Sequence, residues 1–230
     1  MNFIEGEVLV LNKPLGWTSF DLVKKIRIRL QQKLGVKKLK VGHAGTLDPL
    51  ATGVMLVCTG KATKQIETYQ AGVKEYIATI KLGETTPSFD LETKTDRLYP
   101  FEHITRESVD LALENFKGEI RQIPPEFSAV KINGKRAYKY ARKGEEVEMR
   151  PKILVIDEIE VLDFNLPVLT LRIVCSKGTY IRALARDIGI ELKSGGHLIA
   201  LQRTRVGDYS LSDALSVEEF EKNTEILKQI

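Results

Sequence analysis

Apolar residues in this 230-residue chain come in short runs of two different periods, and that mixture restricts the fold more than any other feature. The longest uninterrupted stretches, such as Val8 to Leu11 and Val54 to Cys58, fall far short of the roughly 20 residues a membrane helix needs, so no span is expected. Tyr76, Ala78, Ile80 and Leu82 alternate with polar neighbours, the period of a half-buried strand. Leu22, Val23, Ile26, Leu30 and Leu34 instead repeat every three to four positions, as one face of a helix does. So do Val109, Ala112, Leu113 and Phe116, and again Ile181, Leu184, Ala185 and Ile188. With 43% hydrophobic residues and no internal repeat, such a chain is expected to bury a substantial core in an α+β or mixed α/β fold, one sheet with helices against it.

Local signals give the order of elements. Glu7 to Leu11 reads as a strand, Lys13-Pro14-Leu15-Gly16 as a turn, and Thr18 or Ser19 as the cap of a helix that Gly35 stops. The Gly-rich segment from Gly42 to Gly53 leads into a buried strand, Val54 to Cys58, and a short helix, Lys61 to Tyr69. Thr105 is a second cap candidate, with Gly118 closing its helix. Phe127 to Ile132 and the Asn133-Gly134 turn suggest a hairpin. Prolines at 124, 125 and 151 bracket it, so residues 124–152 are read as an insertion in a single domain spanning 1–230. Strands at Ile153 to Leu162 and Val168 to Cys175 then precede a helix from Thr179.

Net charge is only +4, but it is segregated. From Lys13 to Lys64 eleven Lys and Arg face only Asp21 and Asp48, and from Phe127 to Lys143 six more occur with no acid, interleaved with Tyr138 and Tyr140. Solvated helix faces would account for either run alone; together they suit a polyanion, with nucleic acid favoured. Cys58 and Cys175 lie in apolar runs without a Cys-x-x-Cys pair, and the acidic N-terminus lacks the form of a secretory signal. Both thiols are read as core residues and the protein as cytoplasmic. The three histidines have no ligand at metal spacing, so neither a metal nor a cofactor is expected. Gly53 to Ala62 imitates a phosphate-binding loop, but Met55 and Ala62 stand where that motif needs Gly and Ser or Thr.

The richest segment is Gly42-His43-Ala44-Gly45-Thr46-Leu47-Asp48-Pro49-Leu50-Ala51-Thr52-Gly53. On local rules Asp48 is a helix N-cap with Pro49 at the first helical position. The alternative is chemical: a carboxylate between Leu47 and Leu50 is partly desolvated, a stronger nucleophile than in water, and calls for a positive partner. Arg182 is a candidate partner because it falls in the first turn of a helix, where the macrodipole disfavours a cation and an anion should offset it. Its plain alternative is a solvated side chain reaching outward. Tyr76 by itself is a core tyrosine, and His43, beside two glycines, a loop residue.

Several separated blocks resemble the bacterial tRNA pseudouridine(55) synthases of the TruB type: Leu9-Val10-Leu11-Asn12-Lys13-Pro14-Leu15-Gly16-Trp17-Thr18-Ser19, then Val41 to Gly53, Lys74-Glu75-Tyr76, Gln122-Ile123-Pro124-Pro125, Phe127-Ser128-Ala129, Cys175 to Arg182, and His197 to Thr204. The resemblance covers nearly the whole chain. It implies a pseudouridine synthase fold, α+β, with a mixed, mostly antiparallel central sheet flanked by helices and an RNA-binding insertion. It further implies that Asp48 is the catalytic carboxylate paired with Arg182, and that Tyr76 stacks on the target base and relays a proton. His43 would fill the space left by a flipped base, Tyr180 and Leu201 would line the uracil pocket, and Asp90 and Lys64 would contact substrate. Family members often carry a C-terminal PUA domain. Here Asp213 to Glu225 is acidic and the sequence ends at Ile230, so no PUA domain is expected and RNA grip should rest on the two basic runs.

The implied substrate is the T arm of tRNA, handled by a monomer without a protein partner or membrane. Turning uridine into pseudouridine breaks the C–N glycosidic bond, rotates the uracil and rejoins it through C5, without net redox change. A base that must leave its stack needs an aromatic floor, a filler and a dry pocket. Addition of the carboxylate to the uracil or to ribose C1′ are both open routes. The rival classes are a non-catalytic RNA-binding module with the same basic face, and a DNA-binding protein, which lacks any helix-turn-helix or finger pattern here.

Overall fold

The computed structural model describes residues 2–132 and 134–226. In chain order the elements are β1 (Val8–Lys13), α1 (Ser19–Leu34), β2 (Val41–His43), β3 (Ala51–Thr59), a 3-10 turn (Gly60–Gln65) running into α2 (Ile66–Ala71), and β4 (Lys74–Leu82). There follow β5 (Glu84–Thr85), β6 (Arg97–Leu98), α3 (Arg106–Glu114), β7 (Gly118–Gln122), β8 (Lys131–Ile132), β9 (Lys135–Arg136) and α4 (Ala137–Ala141). Last come β10 (Lys152–Asn165), β11 (Val168–Cys175), α5 (Ile181–Glu191), β12 (Gly196–Val206), β13 (Tyr209–Ser210) and α6 (Val217–Ile226). The fold is α+β, as expected, with pairing that is antiparallel throughout the pairs given below except one.

The chain divides into two compact units, residues 1–76 with 201–230, and residues 77–200. In the first, β3 is central. β1 runs antiparallel to it from Val8↔Cys58 to Lys13↔Gly53, β2 antiparallel through Gly42↔Cys58, and β12 parallel through Leu201↔Ala51 and Arg203↔Gly53. Buried on both faces, β3 is the continuous apolar run that Val54 to Cys58 announces. Helix α1 is capped as the sequence implies: the Thr18 side chain accepts from the Asp21 amide, Asp21 reaches back to the Thr18 amide, and Gly35 takes the left-handed conformation at φ 65°. Its buried stripe is Leu22, Val23, Ile26 and Leu30.

In the second unit β11 pairs antiparallel with β10, and β10 with β7. The register Lys152↔Gln122 means that the chain between these strands leaves and returns at one point of the sheet. That excursion holds the β8–β9 hairpin and α4; Asn133 of the expected turn lies outside the described residues, while Gly134 has φ 79°. Helix α3 is capped by Thr105 but ends at Glu114, and Gly118 starts β7 rather than closing the helix. Helix α5 buries Ile181, Leu184, Ala185 and Ile188. Among the described residues no helix is long and apolar enough to cross a membrane, and no cluster of three or more metal-ligating side chains occurs.

Candidate active site

Asp48 is not a helix N-cap. Its carbonyl accepts the Ala51 amide at 3.0 Å, closing a turn through Pro49 and Leu50 that feeds directly into β3. Proline at the second position of a turn is as well placed as at the start of a helix, and the pairing of β3 with β1 and β12 decides between them.

The loop that carries Asp48 is held from both sides within the first unit. On one side, the buried Ser19 hydroxyl donates to the Leu47 carbonyl (2.9 Å) and accepts the Leu47 amide (2.8 Å). The Gly16 amide donates to the Pro49 carbonyl at 2.8 Å. Lys13, fully buried at the end of β1, donates its ammonium to the carbonyls of Pro14 (2.9 Å), Trp17 (2.7 Å) and Pro49 (3.5 Å). On the other side, Arg203 of β12 is 1% exposed and donates to the carbonyls of Val54 (2.8 Å), Gly45 (3.2 Å) and Thr46 (3.5 Å). Two buried cations thus grip one short loop whose acid is the half-buried Asp48.

These charges act on each other. Burial lowers the Lys13 ammonium to about 8; the Asp48 carboxylate opposes that shift and the Arg203 charge adds to it. His43 sits at the end of β2, and its Nδ1 is buried without a hydrogen-bond partner among the described residues. Burial holds its pKa below the ordinary histidine value; the Gly45 backbone opposes that shift and the Arg203 charge adds to it. Tyr76 is buried at 8% exposure on the apolar face of β4, and Leu201 is buried on β12. Lys64 is exposed in the last turn of the 3-10 segment.

In the second unit the structure pairs Arg182 with Asp90, and it holds Tyr180 against Gln122. Arg182 does not reach into solvent: it is 5% exposed and donates to the carbonyls of Ser88 (3.0 Å) and Phe127 (2.9 Å). Its Nε lies 3.4 Å from Asp90 Oδ2, so an anion does offset the cation in the first turn of α5. Asp90 is itself buried, in a turn where its carbonyl accepts from the Thr86 and Ser88 hydroxyls and its Oδ1 from the Glu92 amide. The preceding residue, Phe89, has φ 61°, a left-handed conformation, and its ring lies 4.7 Å from the Arg186 guanidinium. Tyr180 is the N-cap of α5, its amide and carbonyl bonded to the Gln122 side chain at 2.9 and 3.2 Å.

Sequence reasoning did not assign roles to Lys13 and Arg203. The signal was available as phase: Lys13 continues the inward positions of Leu9 and Leu11, and Arg203 follows Leu201. A lysine or arginine on the inward phase of a strand requires buried partners.

Comparison with known proteins shows the family of the chain. Residues 31–181 match the model of the TruB family pseudouridylate synthase N-terminal domain, and residues 182–229 that of the tRNA pseudouridylate synthase B C-terminal domain. The chain belongs to the TruB family. It is 66% identical over 221 residues to a tRNA pseudouridine synthase B of Parabacteroides distasonis and 68% identical over 220 residues to one of Phocaeicola vulgatus, covering 96% of this chain and 94% of each relative. Among solved structures it resembles a chain of a Cbf5-Nop10-Gar1 complex, at 28% identity and a TM-score of 0.75 over 99% of this chain. It also resembles a chain of an H/ACA RNP bound to a substrate RNA containing 2′-deoxyuridine, at 25% identity and a TM-score of 0.71. The TruB-family chain described here spans 56% of the length of each of those two structure chains.

Proposed function

We propose that this protein is a tRNA pseudouridine synthase that isomerises uridine in the T loop, position 55, with Asp48 as the catalytic carboxylate acting on a flipped-out base. The observation that carries the reading is the pair of buried cations fixing the Asp48 loop. A turn in ordinary surface structure does not bury a lysine and an arginine to hold three of its carbonyls, because desolvating each charge costs several kcal/mol, as an order of magnitude. Family membership and the names of its 66–68% identical relatives supply the reaction class.

The chemistry then assigns the remaining residues. A fixed carboxylate adds to the flipped nucleotide, at the uracil or at ribose C1′. The C–N bond breaks, the uracil turns, C5 bonds to C1′, the bond to the Asp48 carboxylate is released, and the C5 proton leaves while N1 takes one up. Tyr76 forms the floor beneath the base and relays that proton. His43, kept neutral by burial, fills the gap in the RNA stack. Tyr180 and Leu201 line the uracil pocket, Asp90 contacts substrate, and Lys64 meets the RNA backbone. Arg182 is assigned to supporting the Asp48 carboxylate, consistent with a guanidinium whose orientation is already set by Ser88, Phe127 and Asp90. Lys131, Lys135, Arg136 and Lys139, around the β8–β9 hairpin and α4, give the excursion its attraction for phosphate. The enzyme is expected to act in the cytoplasm, as a monomer, on the T arm.

The test is Asp48→Asn, assayed on a T-arm hairpin carrying tritium at uridine C5. Binding should survive and tritium release should cease. Full turnover by the variant would refute the assignment, and a wild-type protein that binds the hairpin but releases no tritium would favour a non-catalytic RNA-binding module.

A further inference from the structure

Three strands meet in register beneath the Asp48 loop. Gly53 of β3 faces Lys13 of β1 on one side and Arg203 of β12 on the other, so the two buried cations flank one glycine at one level of the sheet. Gly53 has φ 107°, and a Cβ there would lie 2.1 Å from the Arg203 carbonyl oxygen, so no side chain can stand between the two strands at this point. Arg203 uses that close approach. Its guanidinium spans from the Val54 carbonyl, inside β3, to the carbonyls of Gly45 and Thr46, at the start of the catalytic loop. Gly45 is itself left-handed, with φ 102°.

We propose that Arg203 is a positioning residue for pseudouridine formation: it ties the beginning of the Asp48 loop to the rigid strand that follows it and so fixes where the Asp48 carboxylate stands. Planar guanidinium geometry is what the task requires. Arg203 presents three separate nitrogens, held in one rigid plane, to three carbonyls spread from β3 to the start of the loop, whereas an ammonium, like that of Lys13, gathers its three carbonyls around a single atom. The partners are uncharged backbone oxygens, and the charge remains uncancelled by them. The field of Arg203 is therefore felt at Lys13 and His43, both of which it makes harder to protonate. Lys13 anchors the end of the loop at Pro49 and Arg203 its beginning, with Asp48 between them.

The inference rests on the reading of Asp48 as the catalytic group, and the experiment separates the two. Arg203→Lys is compared with wild type and Asp48→Asn in the full-length protein. Three quantities are read: single-turnover tritium release, affinity for the T-arm hairpin, and amide hydrogen exchange at Ala44, Leu47 and Ala51, whose amides are hydrogen-bonded in or beside the loop. Arg203→Lys should slow the chemical step about 100-fold, the order expected when a catalytic group shifts by an ångström. Hairpin affinity should stay unchanged, and exchange should accelerate in the loop but not in α1 or α5. A merely structural role would lower activity and affinity together through loss of folded protein.

Wild-type turnover by Arg203→Lys, or an activity loss matched by loss of binding, overturns the proposal. If Arg203→Lys does not fold, Gly45→Ala replaces it, since strain at φ 102° moves a carbonyl that Arg203 holds; wild-type turnover by folded Gly45→Ala overturns the proposal equally. An active Asp48→Asn would sink the assignment of Asp48, and the exchange measurement would still decide whether Arg203 anchors the loop.

Discussion

Ser19→Ala isolates how strongly the fold holds the Asp48 loop. The Ser19 hydroxyl makes two hydrogen bonds to one residue, donating to the Leu47 carbonyl and accepting its amide, and both residues are buried, at 4% and 3% exposure. Alanine fits the site and suits the first turn of α1, so the loss falls on Leu47 alone. Two buried backbone groups lose their partner, each at about 1–3 kcal/mol. Partial relaxation towards water recovers some of this, leaving about 2–4 kcal/mol of destabilisation. For a chain of this size that corresponds to a fall in Tm of about 5–15 °C.

Thr18→Ala is the internal control. It removes the adjacent N-cap hydroxyl, which bonds within its own capping box on the exposed side of the helix, and costs about 1 kcal/mol. Thermal unfolding followed by circular dichroism should rank wild type above Thr18→Ala, and Thr18→Ala well above Ser19→Ala. Because Asp48 follows Leu47 directly, Ser19→Ala should also lose turnover per folded molecule while keeping its affinity for the T-arm hairpin, and Thr18→Ala should not. A Ser19→Ala shift no larger than that of Thr18→Ala, or equal turnover per folded molecule, would refute the claim that this hydroxyl organises the loop.

Two further outcomes follow from buried titrating groups. The folded-state pKa of Lys13, about 8, lies below its ordinary 10.5, so above pH 8 the unfolded chain binds more protons than the folded one and this residue makes stability rise with pH. Comparing denaturation of wild type and Lys13→Met between pH 8 and 10 should show the wild type gaining relative to the variant; parallel curves would contradict a buried ammonium. The Cys58 thiol, pushed up to about 11 by burial, should resist alkylation at neutral pH in the native protein and react on unfolding, and rapid labelling of the native state by iodoacetamide would show the site to be open.

Where physics is local, the sequence could be read directly. Thr18, Asp21 and Gly35 specify both ends of α1 because capping is decided within a few residues. The alternation from Tyr76 to Leu82 specifies β4 and its buried face for the same reason. Arg182 was legible only in part: a cation in a first helical turn needs an offset, and Asp90 provides one at 3.4 Å, whereas the sequence pointed to Asp48 as its partner. Asp48 shows where local rules stop. Aspartate before proline satisfies the start of a helix and the start of a turn equally well, and the difference lies in β3, whose partners β1 and β12 are about 40 and 150 residues away in sequence. Gly118 behaves likewise, a fitting helix terminator that instead opens β7 opposite Ile156.

Lys13 and Arg203 extend that argument from elements to the site. Each is visible in sequence as a cation on the inward phase of an apolar strand, the kind of local conflict that natural chains retain where function requires it. What no local pattern can state is that the two conflicts share a solution. Lys13 and Arg203 become one device only because both strands align on Gly53, and because the chain just ahead of that glycine turns back through Asp48 with its carbonyls facing both cations. Register converts two separately costly burials into a clamp. A one-residue slip of β12 against β3 would turn Arg203 to the opposite face of the sheet and leave the Gly45 carbonyl without its donor. The glycine that permits the close approach therefore constrains the position of the Asp48 carboxylate as much as the residues that touch the loop.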